Sequence, residues 1–462
     1  MFLAIFHLSL PALIKYHFFH QRLKSGKACD IFQLYDSFQV NERLQMSKRI
    51  KTGMIGLGGR GISLLNLLLD MPGDVEISAV CDILPDRLTT GLDLCRKKGS
   101  ADTVACSDTN DLLSRSDVDA VIIATSWNSH LSIAAAAMEN GKYAAFEVGP
   151  AQSEAECNNL VSVYNRTGIP CMMLENCCYG RVEMTLLNMI KKGVFGEIVH
   201  CRGGYEHDLR ALAEKTSPES HKERSVHYMK RNCDLYPTHG LGPVMNYLGI
   251  NRGNRMLTLV SMSSKSRGMQ DYLKNKYGKD SPEALIDFTQ GDIVTTMIKC
   301  AGGETIMLTH DTSLPRPYSR GSRLQGTRGL WLESSASIYI EGRSAAHKWE
   351  PFDACYDEYE HPLWKEYRAQ SVRAGHGGMD YLVLRAFLES VRNGTEPPFD
   401  IYDSLSAMSV SYLSEQSIAM GSMPVPIPDF TAGKWIRRKD TTPSIFSLNK
   451  VCDELFMGDA TF

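Results

Sequence analysis

"GMIGLGGRGIS", Gly53 to Ser63, decides the fold of this chain. Its apolar start reads as a β-strand, Gly56, Gly58 and Gly61 stand at G-x-G-x-x-G spacing, and the apolar pattern then resumes with a helical period. Each glycine has its own task in such a turn. Gly56 permits the tight reversal, Gly58 lets the backbone approach a pyrophosphate, and Gly61 lets the helix start close to the strand, with helix N–H groups facing the phosphates. The motif alone is a weak signal. Asp82 strengthens it by ending the next apolar run, "VEISAVCD", where an acid binds the ribose 2′-hydroxyl of NAD and repels the extra phosphate of NADP.

Outward from the turn, strand and helix signals alternate. "GISLLNLLLDM" reads as a helix and "DAVIIAT" as another strand. "SEAECNNLVSVYNRTG" opens with Ser153 and Glu156 at capping-box spacing and stops at Gly168. "IPCMMLENCCYGR" reads as strand-like, and "VEMTLLNMIKKG" as a helix ending at Gly193. Short apolar strands joined by helices imply a parallel sheet covered on both faces. The expectation is a doubly wound Rossmann domain over residues 46–193. Beyond it, "EIVHCRGGY", "MLTLVSMSS", "DIVTTMIKC", "ETIMLTHD", "GLWLES" and "SIYIEG" suggest strands, two pairs of them joined by tight links typical of hairpins. This predicts an α+β domain with an open, mainly antiparallel sheet over 194–462. The helix "GMDYLVLRAFLESVRNG" is placed to return onto the first domain.

Composition narrows the partner. With 462 residues the chain exceeds what one core usually organises. A formal net charge of -3 carries no electrostatic footprint for nucleic acid, so a small neutral or polar partner fits better. The 13 cysteines show no C-x-x-C spacing and read as mostly buried free thiols, which favours a reducing, cytoplasmic setting. Residues 1–45 differ in character and are expected to stand outside the fold. Their apolar start, "MFLAIFHLSLPALI", is too short for a stable membrane span, and "MSKRIKTGMIGLGGRG" reads as a natural beginning at Met46. The competing reading makes 1–45 an export or anchor segment.

The order of these pieces, with "GLGGRG", the acidic end of the second strand and "ENGKYAAFEVGPA", resembles the Gfo/Idh/MocA oxidoreductase superfamily. Within it, "MMLENCCYGRVEMTLLNMIKKGVFGEIVH", "GGYEHDLR", "LYPTHGLGPV", "INRGNRM", "HDTSLPRPYSR" and "GHGGMD" are similar to glycoside hydrolase family 109, the NAD-dependent alpha-N-acetylgalactosaminidases. The likeness runs from about Met46 to Trp435. Dehydrogenases of the superfamily carry Glu-Lys-Pro after the strand that ends here at Glu147, and their lysine relays the proton of the oxidised hydroxyl. This chain has Glu147, Val148, Gly149 and Pro150, and valine transfers no proton.

The resemblance implies a different use of NAD. The cofactor oxidises carbon 3 of the bound sugar, which acidifies the hydrogen on carbon 2. Elimination then expels the aglycone, water adds, and carbon 3 is reduced again, without a catalytic carboxylate pair. By motif, Gly59, Arg60, Asp82, the stretch Trp127, Asn128, Ser129 and His130, Glu147, Val148 and Asn176 match NAD-contacting positions. Tyr205, Arg224, Tyr236 with Pro237 and Thr238, and Tyr318 match sugar-contacting ones. His239 is the choice for general acid-base, since imidazole titrates near neutral pH, with Tyr318 as the second catalytic candidate.

Other readings stand beside these. His239 as a helix cap, Arg224 as a solvated surface charge and Trp127 as core are the structural alternatives. A metal site at His376 or at His207 with Asp208 has no recognised ligand spacing, so no metal is expected. The expected substrate is a small molecule or glycan ending in N-acetylhexosamine, and an open sheet admits a homo-oligomer. A net sugar or cyclitol dehydrogenase and a non-catalytic NAD-binding regulator are the alternative functions.

Overall fold

The computed structural model describes residues 49–214, 223–371, 376–438 and 443–456; the segment 1–45 and Met46 lie outside them. The first six strands are β1 (Ile50–Ile55), β2 (Val75–Cys81), β3 (Val104–Cys106), β4 (Ala120–Ile123), β5 (Tyr143–Phe146) and β6 (Cys171–Met173). They form one sheet in the order β3-β2-β1-β4-β5-β6, parallel throughout. β4 is buried at all four positions, as expected of a sheet covered on both faces. The strand order reverses between β1 and β4, so the carboxyl ends of these two strands border the crevice where such folds bind ligands.

Helix α1 (Gly59–Leu69) follows β1, α2 (His130–Glu139) follows β4, and α3 (Glu154–Thr167) follows β5. The Ser153 cap on α3 forms as its sequence predicts, while the Glu156 carboxylate accepts from the Gln152 amide, at 2.9 Å, one residue before the cap. Ser153 Oγ accepts from the Glu156 amide at 3.2 Å, and Gly168 closes the helix with φ 67°. The strand-like stretch at 169–181 is short: β6 gives way to a 3₁₀ turn, Asn176–Tyr179, and then to α4 (Arg181–Lys191).

The second sheet has nine strands: β7 (Ile198–Glu206), β8 (Met256–Ser263), β9 (Ile293–Cys300), β10 (Thr305–Asp311), β11 (Arg323–Gly326), β12 (Gly329–Leu332), β13 (Ser337–Ile340), β14 (Glu350–Pro351) and β15 (Val425–Pro426). Their order is β14-β13-β12-β11-β7-β10-β9-β8-β15. All pairings are antiparallel except β7 with β10. The six strands legible in the sequence are all present. β11 is an addition that the sequence did not suggest, being four residues long with one buried position.

Four further helices complete the frame of the site: α5 (Glu223–Lys230), α6 (Thr238–Tyr247), α7 (Met379–Asn393) and α8 (Ile401–Ala419). α7 returns to pack on α1 and β1. α8 is buried almost all round and contacts both sheets. Its serines meet backbone donors from several elements: Ser404 Oγ accepts from Met173 N at 3.0 Å, Ser414 Oγ from Asp234 N at 2.8 Å and Ser417 Oγ from Ser261 N at 2.9 Å. At its start, Arg252 pairs with Asp400 and Asp403, each at 2.8 Å, with all three side chains nearly inaccessible.

Candidate active site

The glycine turn has the shape that a dinucleotide needs. Gly56 has φ 89°, and a Cβ there would meet Ala124 O at 2.6 Å. A Cβ on Gly61 would meet Gly56 O at 1.9 Å, so α1 begins hard against the turn. Gly59 has open space around it, and Gly58 caps α1 without a side chain over the first N–H groups. Asp82 closes the cradle, accepting from Leu57 N at 2.7 Å and Leu84 N at 2.9 Å. Each carboxylate oxygen keeps acceptor capacity for a ribose hydroxyl. The residues present therefore fit NAD.

Beside the turn, four elements meet on one carboxylate. Arg60, on the first turn of α1, donates Nε to Glu147 at 2.8 Å and its two terminal nitrogens to Asp380 at 2.6 and 2.8 Å. Asn176 Nδ2 donates to the same carboxylate at 2.7 Å, and His376 Nδ1 lies 2.7 Å from it. Burial alone raises the Asp380 pKa, but Arg60 and His376 reverse that and hold it well below the usual carboxylate range. For Glu147, burial outweighs Arg60 and the net shift is upward.

At the carboxyl end of β4, Trp127 stacks on the backbone after β5. A Cβ on Gly149 would meet the Trp127 ring at 2.6 Å, so the glycine beside Val148 is what admits the indole. Val148 is buried, and Asn128 is exposed. Ser129 Oγ bonds Thr125 Oγ1 at 2.8 Å. His130 faces inward: its Nε2 lies 3.1 Å from Thr125 O, and burial lowers its pKa to about 4, so it stays neutral.

The sugar-side candidates converge around His239. Tyr205 leaves the end of β7, and Tyr236 and Pro237 lead into α6, whose first residues are Thr238 and His239. Glycines set this meeting. A Cβ on Gly240 would meet Gly204 N at 2.1 Å, and one on Gly203 would meet Gly240 O at 2.5 Å. α6 therefore lies directly on the β7 backbone, and a Cβ on Gly242 would reach Glu175 Cγ at 2.8 Å on the opposite side. Ring centres lie 4.5 Å apart for Tyr205 and Tyr236, 4.9 Å for Tyr236 and His239, 5.5 Å for Tyr205 and His239, and 6.3 Å for Tyr205 and Tyr318. The Arg224 guanidinium, from α5, stands 5.0 Å from the Trp127 ring centre and 5.3 Å from that of Tyr236. This is not a solvated surface arginine. Tyr318 remains 50% exposed, at the rim of the cluster.

His239 does not cap a helix; its Nδ1 lies 2.7 Å from Glu175 Oε1. Burial disfavours the imidazolium, yet Cys177 and Glu175 outweigh it and raise the His239 pKa well above its ordinary value. Glu175 shifts the opposite way: burial raises it and His239 more than offsets this. The two form an ion pair with a proton available at the imidazole. Arg320, two residues after Tyr318, pairs with Glu183 beneath this cluster.

The family model described as "Oxidoreductase family, NAD-binding Rossmann fold" matches residues 50–174, and that described as "Glycosyl hydrolase 109, C-terminal domain" matches 179–437. A "Glycosyl hydrolase family 109 protein" of Stenotrophomonas maltophilia (strain K279a) is 42% identical over 415 residues, covering 85% of this chain and 91% of its own. The chain belongs to glycoside hydrolase family 109. Another relative of this family 109 enzyme, from Tannerella forsythia and named "Alpha-N-acetylgalactosaminidase", is 42% identical over 412 residues, 84% of this chain and 88% of its own. The fold is also similar to that of levoglucosan dehydrogenase in complex with NADH and levoglucosan. The TM-score is 0.63 at 18% identity, over 82% of this chain and 100% of that one.

In this family 109 chain, three site residues escaped the sequence reading: Glu175, Asp380 and Cys177. The first two sit inside the family-like strings "LENCC" and "GHGGMD", but nothing local marks their partners, 64 and 320 positions away. The metal alternatives do not assemble. His376 is engaged by Asp380, and Asp208 by Arg210 at 2.7 Å. Among the described residues, the group of metal-ligating side chains that does assemble is Glu175, Cys177 and His239.

Proposed function

We propose that this enzyme hydrolyses terminal alpha-linked N-acetylgalactosaminides, with NAD held in the Rossmann crevice and recycled in every turnover. The observation that carries the reading is the His239–Glu175 pair set among Tyr205, Tyr236, Arg224 and Tyr318, in a chain that has Val148 where superfamily dehydrogenases carry lysine. When bound, NAD supplies a reversible electron-pair sink that oxidises carbon 3 of the sugar and afterwards restores it.

The chain's own groups do the rest. The half-exposed Tyr318 ring offers a face on which a pyranose can stack, the buried Tyr205 and Tyr236 rings pack against each other and His239, and Arg224 supplies hydrogen-bond donors beside Tyr236. With carbon 3 oxidised, the hydrogen on carbon 2 becomes a proton that a base of the site removes. Tyr318 and His239 are the proton-exchanging groups of this cluster, and Glu175 stabilises the imidazolium whenever His239 holds the extra proton. Val148, buried and without a titratable atom, offers no lysine-like route that would commit the site to net alcohol oxidation.

An aryl alpha-N-acetylgalactosaminide assayed with and without NAD+ tests the reading. Aglycone release that requires NAD+, without accumulation of NADH, is expected, together with deuterium at carbon 2 of the product in heavy water. Release that persists after NAD is removed, or a carbon-2 hydrogen that survives turnover, overturns it. Stoichiometric NADH would instead identify a net dehydrogenase.

A further inference from the structure

One nucleophilic group in the site is unused by this chemistry. Cys177 is 1% exposed and sits in the 3₁₀ turn directly after Glu175, to whose Oε1 its amide donates at 3.1 Å. One ligand atom each from Glu175, Cys177 and His239 lies within 4.8 Å of the others. We propose that these three side chains form a binding site for a thiophilic divalent cation, zinc being the type, and that its occupancy disarms His239.

The donor set selects the cation class. Magnesium and calcium favour oxygen-rich shells, whereas one sulfur, one imidazole nitrogen and one carboxylate oxygen suit zinc and its neighbours. Bond lengths of about 2.3 Å to sulfur and about 2.0–2.2 Å to nitrogen and oxygen put tetrahedral ligands roughly 3.3–3.6 Å apart. The 2.7 Å between His239 Nδ1 and Glu175 Oε1 must then open slightly, while the 3₁₀ turn and α6 that carry the ligands stay in place.

Two further observations favour a cation there. Glu175 is fully buried, its Oε1 gathers the Cys177 amide at 3.1 Å and His239 Nδ1 at 2.7 Å, and its second oxygen keeps lone-pair capacity beside the Thr238 hydroxyl. The charges also balance: one thiolate and one carboxylate neutralise the ion, and Arg320, which pairs with Glu183, also reaches the Cys177 side chain. Of the ion pair only the His239 side chain has access to solvent, 14% against 0% for Glu175. Such ligands bind in their deprotonated forms, so metal binding releases protons. An imidazole whose Nδ1 is held by metal is no longer the partner of Glu175 and loses the proton exchange that the proposed hydrolysis assigns to it. Only this inhibitory half rests on that reading.

Cobalt(II) titration of the full-length, NAD+-loaded, chelator-washed protein tests the site without reference to activity. One cobalt per chain is expected, with a near-ultraviolet thiolate-to-cobalt charge-transfer band that zinc abolishes. The band should vanish in both Cys177→Ala and Cys177→Ser and survive in Cys178→Ala, with NAD binding kept in whichever Cys177 variant folds. Absence of the band in the natural protein, or its survival in a folded Cys177 variant, overturns the site. Zinc should halt aglycone release at the same stoichiometry and a chelator restore it; binding without inhibition overturns the disarming of His239.

Discussion

Asp380 holds the Arg60 guanidinium through both carboxylate oxygens, at 2.6 and 2.8 Å, across 320 positions of the chain. The pair fastens α7 to the first turn of α1, and Asn176 shares the same carboxylate. Asp380 is inaccessible to solvent, and removing it leaves the partly buried Arg60 with Glu147 as its remaining acidic partner. Asp380→Ala is expected to cost about 3 kcal/mol of stability, the low end for a broken buried pair. It should also weaken NAD binding about tenfold or more, as Arg60 and Asn176 lose their anchor. Denaturant melts and NAD titration by fluorescence check both; an unchanged affinity would separate Asp380 from the cofactor site.

His239→Ala and Glu175→Gln address the proton-exchanging pair. Each should leave NAD bound with near-natural affinity and lower turnover by about 10²–10⁴-fold for the histidine, less for the glutamate, which acts through it. A loss confined to KM would mark His239 as a binding residue only.

Gly240→Ala tests the close contact that positions the histidine. The added methyl would stand 2.1 Å from Gly204 N, a clash with backbone that no rotamer relieves. α6 must lift from β7, with a cost of about 1–3 kcal/mol and a drop in turnover larger than the loss of stability explains. Gly59→Ala, in open space, is the matched control for stability.

Asp234 sets a pH dependence of stability. Burial pushes its carboxyl up to about 7, opposed by one backbone hydrogen bond from Tyr236. An unfolded aspartate titrates near about 3.9. Between these values the folded chain holds a proton that the unfolded chain releases, so this contribution is full below about pH 4 and is lost as pH rises through about 7. Asp234→Asn keeps the shape without the charge. Thermal melts across that interval should show a flatter stability profile for the variant, with the gain greatest at the alkaline end.

Much of this was legible along the chain. The turn at Gly56–Gly61, the Ser153 cap and the apolar strands carry their cause locally, in glycine freedom, side-chain caps and periodicity. Other parts lack a local cause. β11 is four residues of mixed polarity whose place in the sheet comes from β7 and β12 on either side. α8 escaped because it has almost no solvent face: with Ser406, Ser409, Ser411 and Ser414 all buried, its sequence shows no amphipathic stripe. Arg224 stands in a run of charges that reads as surface, and only the rings of Trp127 and Tyr236 reveal its role. Glu175 and Asp380 are ordinary acids until the chain brings them their partners.

The serine-studded rod Ile401–Ala419 has a consequence for how the molecule can be taken apart. Its hydroxyls finish the bonding of amides at Met173, Asp234 and Ser261, one at the end of the last strand of the parallel sheet and one within the other sheet. Cut the gene between its two family segments and the nucleotide-binding fragment would inherit an orphan donor and a bare apolar flank. The enzyme is therefore expected to melt in a single cooperative step, its halves inseparable in the way that two pages sharing one spine are.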